Sequence, residues 1–456
     1  MLKLILCRLR KTIVVLLRLA LYSLLLLTFM LIIGTVHEHV LRLSRTMVIL
    51  VVGFVLSGLL LANIYGGYDI GKRKSKPIIF SLVLAVLFTD LIAFFELMIM
   101  NVNPDNKARL TVETVDLVLL LLIYLVQILW IVLFTYAGNE IYFRLVDPES
   151  CCVITGNPEE LDRLLAGIRK FRLQYRIDAI KNISDTNIDA QLLIYDTIFL
   201  HCVPESYRNE MIRFCYRTGK NVYYNPEVED IVEINARFTV MNDVPVIAAA
   251  VKEISTEQLF IKRLIDLAVS AVGLVVYLPI FLFCAIAIKL DDGGSIFFLQ
   301  QRVTRRGKIF NIYKLRTMHE NVENRSVTTD DGRITRVGRV LRKYRLDEFP
   351  QLLNVFKGDM SLVGPRPEML ENIDSYTREL PEFRYRQRVK AGITGYAQIL
   401  GKYSTAPKDK LMMDLQYIEH FSLWQDMRLL FQTLLVLFTA GDSTEAFDSK
   451  YDSKIR

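Results

Sequence analysis

No Cys-x-x-Cys pair occurs in the sequence, and its six cysteines, Cys7, Cys151, Cys152, Cys202, Cys215 and Cys284, have no histidine pattern beside them. The common zinc layouts and a disulfide framework are thereby excluded, and the thiols read as small reduced hydrophobes. A glycine-rich phosphate loop is also missing: the turn after the first strand carries the lone Gly156, where a dinucleotide fingerprint needs several glycines. The absence of internal repeats and low-complexity tracts removes solenoids and disordered arrays. Charge is scarce in the amino-terminal apolar stretches, which carry little beyond Arg18, Asp90, Glu96 and Asp116. So thin a set of intramembrane charges argues against ion transport and leaves helix faces open to pairing as a homodimer.

What is present is hydrophobic length. The 456 residues are 52% hydrophobic with a mean hydropathy of +0.29, enough chain for about three units of roughly 150 residues. Four apolar stretches, Thr12 to Gly34, Thr46 to Tyr65, Pro77 to Met100 and Thr111 to Tyr136, can each cross a hydrocarbon core of roughly 30 Å as a helix. A cleaved signal peptide does not fit, because the first stretch is too long and three more follow. Lys3, Arg8, Arg10 and Lys11 precede the first span, and Lys72, Arg73, Lys74 and Lys76 separate the second from the third. The other two loops are poorer in Lys and Arg, so the amino terminus and everything after the fourth span are expected in the cytoplasm.

From Val146 to Ala250 the texture changes to that of a Rossmann-like α/β domain. Strands are expected at Cys152 to Thr155, Thr197 to Cys202 and Asn221 to Tyr224, with helices at Pro158 to Phe171 and Glu205 to Thr218. Without the glycine fingerprint, a regulatory or assembly role is favoured over nucleotide binding.

A fifth apolar stretch, Leu267 to Ile288, would cross the bilayer by length alone. Both its flanks are basic, however, so both claim the cytoplasmic side. Pro279 lies inside it, and a mid-helix proline removes a hydrogen bond and bends the axis, so the segment 262–290 is expected to enter and leave by one leaflet.

Beyond it lies a basic loop and strand-like run containing Arg302, Arg305, Arg306, Lys308, Lys314 and Arg316. The net charge of +7 fits nucleic acid, anionic lipid or a phosphorylated substrate alike. A helix is expected from Gly332 to Arg345, with Ile334, Val337, Val340, Leu341 and Tyr344 on one face and Arg333, Arg336, Arg339, Arg342 and Lys343 around the rest. Such a helix suits a membrane surface, or its own domain with the arginines in water. Asp347 and Glu348 follow at once, two carboxylates able to hold Mg²⁺ or attack phosphorus beside cations that would keep them ionised. Next comes Gly364-Pro365-Arg366-Pro367, a rigid turn holding a guanidinium suited to phosphate.

The run RLDEFPQLLNVFKGDMSLVGPRPE, with KRLIDLAVS and FNIYKLRTM before it and Ala391 to Gln398 after it, resembles the bacterial sugar transferase family, the monotopic polyprenyl-phosphate glycosyl-1-phosphate transferases. The likeness covers about Lys262 to Phe438, with Leu278 standing before Pro279 where many relatives carry Ser. The resemblance implies a membrane protein of class α plus α/β: a four-helix transmembrane domain over residues 1–145, a Rossmann-like cytoplasmic domain over 146–250, and a mainly α catalytic domain over 251–456 with a re-entrant helix. It further implies a catalytic Asp347–Glu348 dyad that also holds Mg²⁺, and phosphate binding by Arg366 between Pro365 and Pro367, to which Arg302, Lys314, Arg316 and Arg342 add charge. The implied activity moves a hexose-1-phosphate from a UDP-sugar to undecaprenyl phosphate through a phosphosugar-aspartyl intermediate, releasing UMP. It would be the first membrane step of exopolysaccharide, capsule or O-antigen synthesis, at the cytoplasmic face of a bacterial inner membrane, with membrane lipid and no nucleic acid as partner. Two other readings are a polytopic transferase without a covalent intermediate and a non-catalytic scaffold or sensor for polysaccharide assembly.

Overall fold

A computed structural model describes residues 10–100, 113–158, 161–185, 191–234, 236–249, 253–319, 332–401 and 405–438. Lys3 and Arg8, the first residues of the expected fourth span and the polar tail from Gly441 lie outside the described residues. The chain divides into two compact units, Met1–Asn225 and Pro226–Arg456.

In the first unit, α1 (Arg10–Ile33), α2 (Arg45–Tyr65), α3 (Ser75–Met100) and α4 (Thr114–Leu145) take up the apolar stretches. The Ser44 side chain caps α2 by accepting from Met47 N at 3.1 Å, and Gly66 ends it at φ 99°, a left-handed value that suits glycine. Leu21, Phe29, Leu50, Leu82 and Ile123 pack inside, while Leu16, Leu56 and Val118 face outward. An apolar exterior on long apolar helices is the surface of a protein dissolved in lipid, and this is a membrane protein. Helix α4 runs nine residues past the expected Tyr136, because a helix does not stop where hydropathy falls unless a cap or proline intervenes.

The same unit carries β1 (Glu149–Thr155), α5 (Leu161–Arg169), β2 (Tyr175–Asn182), β3 (Thr197–His201), α6 (Glu205–Thr218) and β4 (Asn221–Tyr224). The strands form a parallel sheet in the order β2-β1-β3-β4. Strand β2 was not expected: it lies at the sheet edge, alternates half-buried with exposed residues, and lacks the apolar run that marks β1 and β3.

The second unit opens with α7 (Val228–Ile234) and a hairpin of β5 (Arg237–Met241) and β6 (Val244–Ala248), neither expected from sequence. There follow α8 (Thr256–Asp292), β7 (Phe297–Val303), β8 (Ile309–Leu315), α9 (Arg336–Lys343), α10 (Gln351–Lys357), β9 (Ser361–Val363), α11 (Leu370–Glu379), β10 (Gly392–Thr394), α12 (Tyr396–Leu400), α13 (Pro407–Glu419) and α14 (Leu423–Phe438). Strands β7 and β8 pair antiparallel, and β9 pairs with β10 in parallel. Val355, Met360, Phe383, Leu411, Tyr417 and Phe421 form the core. Helix α9 begins later than Gly332 because the Thr335 hydroxyl caps it, accepting from Gly338 N at 2.9 Å. Its apolar residues divide: Leu341 is buried and Val337 packs beside it, whereas Val340 and Tyr344 are exposed.

Helix α8 begins in a Ser255–Gln258 capping box and continues through Pro279 as one element of 37 residues. Near its start Arg263 donates to the Val355 and Phe356 carbonyls at 2.6 and 2.7 Å, closing the end of α10. The Asp266 carboxylate accepts from Ser361 Oγ at 3.1 Å and Leu362 N at 3.0 Å. Further along, Cys284 and Ile288 pack on Leu315 and Leu341, and Asp291 accepts from Val337 N at 3.1 Å. Both ends of the helix are thus fastened to one unit, while Phe260, Val275, Phe283 and Leu290 on its other faces are exposed.

Asn354 joins α10 to β8 and is fully buried, accepting from Tyr313 N at 3.0 Å and donating to Asn311 O at 2.7 Å. Asn354→Leu strands both strand groups and should cost about 1–3 kcal/mol. Thermal unfolding of the protein in nanodiscs measures this, and an unchanged midpoint would contradict the bridge.

Candidate active site

Helix α9 ends at Lys343 with Tyr344 as its C-cap, and Arg345 then adopts φ 54°, a left-handed value unusual for a side-chain-bearing residue. This reverses the chain into a short 3₁₀ turn, Leu346–Glu348, before Pro350 opens α10. The two carboxylates therefore sit on a tight turn wedged between helices. Strand β8 brings Lys314 to them: its Nζ lies 3.4 Å from Glu348 Oε1. Arg366 reaches the same oxygen at 3.1 Å.

The turn carrying Arg366 is held through its backbone. Gly364 N donates to Thr394 O at 2.8 Å and Gly392 N donates to Pro365 O at 2.9 Å, tying the segment to β10. A Cβ on Gly364 would collide with the Lys390 carbonyl, so only glycine permits the approach. Arg302 donates from one guanidinium nitrogen to Pro367 O at 3.2 Å and from another to Gln300 Oε1 at 2.5 Å. Arg386 donates to Arg366 O at 2.8 Å. Arg386 was not expected from sequence; it is buried with Asp414 at 2.8 Å and Glu368 at 3.6 Å, Lys410 standing 3.6 Å from Glu368. The available signal was a group of charges, Glu368, Arg386, Lys410 and Asp414, spread over segments whose apolar neighbours form the core.

The expected phosphate-binding residues thus occupy four kinds of place. Lys314 and Arg366 converge on Glu348. Arg342 donates from Nε to Thr317 Oγ1 at 2.8 Å and acts electrostatically on Asp347. Arg302 braces the Pro-Arg-Pro turn, with Pro365 and Pro367 on either side of Arg366. Arg316 is buried, its guanidinium against Gly294 just past the end of α8, where a Cβ would meet it. Pro279 lies inside α8.

The two adjacent carboxyls titrate in opposite directions. Burial pushes the Asp347 pKa up, the Glu348 charge adds to this, and Lys314 and Arg342 pull against it. Burial also works against the charge of Glu348, yet Arg366, Lys314 and Arg345 outweigh it and hold that carboxyl below the ordinary range. Burial lowers the Lys314 pKa in spite of Glu348. Behind the turn, burial is again the largest influence on Asp414, pushed up to about 6, while Arg386 and Lys410 hold Glu368 low against its own burial. The result is one carboxylate committed to cations and a neighbour whose charge is weakly held, beside a half-exposed guanidinium. Among the described residues no three His, Cys, Asp or Glu side chains gather as a metal cage. Two adjacent carboxylates still fit Mg²⁺, which commonly takes one or two protein oxygens and completes its shell with substrate phosphate and water.

Residues 257–440 match the bacterial sugar transferase family. A UDP-N-acetylgalactosamine-undecaprenyl-phosphate N-acetylgalactosaminephosphotransferase of Aeromonas hydrophila is 42% identical over 186 residues, 40% of this chain and 44% of that one. A UDP-glucose:undecaprenyl-phosphate glucose-1-phosphate transferase of Caulobacter vibrioides is 40% identical over 190 residues, 40% of this chain and 71% of the relative. An uncharacterized sugar transferase of Bacillus subtilis is 38% identical over 177 residues, 39% of this chain and 86% of that one. The chain belongs to the bacterial sugar transferase family. Its match spans less than half of the Aeromonas protein and most of the Caulobacter and Bacillus ones.

A carbodiimide activates protonated carboxyls, so in mildly acidic buffer Asp347 should be modified ahead of Glu348. Peptide mapping by mass spectrometry reads the order, and equal or reversed modification would contradict the electrostatics described.

Proposed function

We propose that this protein transfers a hexose-1-phosphate from a UDP-sugar to undecaprenyl phosphate, releasing UMP. The observation that carries this reading is the Asp347–Glu348 turn with Lys314 and Arg366 closed on Glu348. In the first step an Asp347 oxygen bonds to the sugar-bearing β-phosphorus while the bridging bond to the α-phosphate breaks and UMP leaves. In the second, an oxygen of undecaprenyl phosphate bonds to the same phosphorus and Asp347 departs, restored as a carboxylate. Glu348 stays ionised throughout, keeping Lys314 and Arg366 in place beside the transferring phosphoryl group, where their charge counts most. When bound, Mg²⁺ held by Asp347 and Glu348 would neutralise diphosphate charge.

The reading extends to placement. A helix of 37 residues is about 55 Å long, well over a hydrocarbon core of roughly 30 Å, yet both ends of α8 are fastened to one unit. This supports α8 as a re-entrant helix and residues 251–456 as a catalytic domain on the cytoplasmic face of a bacterial inner membrane. Residues 1–145 would be its transmembrane domain and 146–250 a Rossmann-like domain. A water-soluble donor and a lipid acceptor could then meet at one leaflet, at the start of exopolysaccharide, capsule or O-antigen synthesis. The named relatives use glucose and N-acetylgalactosamine, so a donor panel includes both, with UDP-galactose.

Two outcomes follow. In nanodiscs, donor labelled on the sugar phosphate should leave label on the protein without acceptor, and Asp347→Asn should lose it by about a thousandfold or more. Label retained in that variant, or none in the wild type, would sink the covalent mechanism. Asp347 attacks only when ionised, and its raised pKa places the acid fall of kcat/KM above that of an ordinary Asp, near 3.9. Arg342 opposes the rise, so Arg342→Gln should move the acid limb to still higher pH; an unmoved limb would argue against Asp347 as the titrating group.

A further inference from the structure

One side chain of the membrane helix touches both flanks of the reacting pair. The Tyr277 hydroxyl donates to the Leu346 carbonyl at 2.9 Å, and its ring stacks on Phe349 with centroids 4.9 Å apart and planes inclined by 16°. Leu346 immediately precedes Asp347 and Phe349 immediately follows Glu348. Tyr277 itself is 4% exposed, so both contacts are sheltered from water.

The turn needs such support. It spans three residues, has no side-chain cap, and follows Arg345 in the left-handed region. A short 3₁₀ segment has poor hydrogen-bond geometry and cannot by itself fix its side chains to the accuracy an in-line displacement requires. The Leu346 carbonyl belongs to the peptide plane that leads into Asp347, so an unheld carbonyl lets that plane swing and carries the carboxylate with it.

Tyr277 is in turn located by its neighbours along α8. One helical turn earlier Gly273 leaves a Cβ position only 3.0 Å from Leu352 Cδ1, and one turn later Phe281 stacks on Phe297 at 5.5 Å. These positions recur every four residues and form one face, so a rotation of the helix would break all three together. Pro279, two residues on, cannot donate to the Val275 carbonyl, which makes this the stretch where the axis can flex.

We propose that Tyr277 is a positioning residue of the reaction, setting the attack geometry of Asp347. This rests on Asp347 being the nucleophile. The experiment uses the full chain in nanodiscs and compares wild type, Asp347→Asn, Tyr277→Phe and Tyr277→Leu by acceptor-independent labelling and by KM for the UDP-sugar. Tyr277→Phe keeps the ring stack and loses the hydroxyl. Its labelling rate at saturating donor should fall about three- to tenfold, the worth of one hydrogen bond, with KM unchanged. Tyr277→Leu, lacking both contacts, should fall up to about a hundredfold. A Tyr277→Phe protein that labels at the wild-type rate overturns the proposal, as does one whose KM rises in step with the loss. The phenylalanine variant decides the matter even if the leucine variant does not fold. Label persisting in Asp347→Asn would instead defeat the nucleophile assignment and leave the Tyr277 contacts as architecture.

Discussion

Along one stripe of α8, from Lys262 to Asp291, side chains bond or pack against α9, α10, β8 and β9 of the same unit, and the geometry of the site follows from that attachment. At its start the stripe is ionic: Lys262 donates to Val363 O at 3.0 Å and pairs with Asp426 of α14, whose carboxylate also accepts from Tyr417 at 2.8 Å. In its middle it is aromatic, and towards its end apolar, before Asp291 satisfies an open backbone donor of α9. A helix bonded in this way cannot turn or slide without disturbing β9, which leads into the Pro-Arg-Pro turn, and the carboxylate turn between α9 and α10. Its remaining faces carry exposed apolar side chains of the kind that suit lipid.

The charges of the site form two layers. In front, Glu348 is clamped by Lys314 and Arg366 and kept ionised, while Asp347 beside it is destabilised by burial and by that neighbouring charge. Behind, Arg386, Lys410, Glu368 and Asp414 form a buried network that holds Arg366 through its carbonyl rather than its side chain. The backbone of Arg366 is thus fixed from behind while its half-exposed guanidinium pairs with Glu348 in front.

Apolar stretches long enough to span a membrane were legible because hydropathy is a local property, and α1 to α3 follow them to within about two residues of the expected bounds. The buried strands β1 and β3 were legible for the same reason, and strand β4 and helix α6 also lie where they were expected. The edge strand β2 was not, since its outward residues are polar, and neither was the β5–β6 hairpin, whose exposed apolar residues offered no core-facing pattern. In the site, Asp347, Glu348 and Arg366 stood out by their crowded local context. Arg386 did not, because its partners Glu368 and Asp414 lie on other segments of the chain and one charge among many on a basic chain stands out little.

The sequence alone determined which segments prefer lipid, which residues carry acid, base and cation, and which prolines and glycines stiffen or release the backbone, since all of these depend on near neighbours in the chain. Tertiary structure decided that Lys314 and Arg366 meet on one oxygen, that Arg316 is buried against Gly294 while Arg302 braces a turn, and that Tyr277 reaches the backbone leading into Asp347. Those relations join residues from 18 to 69 positions apart, and only the folding of the unit brings them within bonding distance.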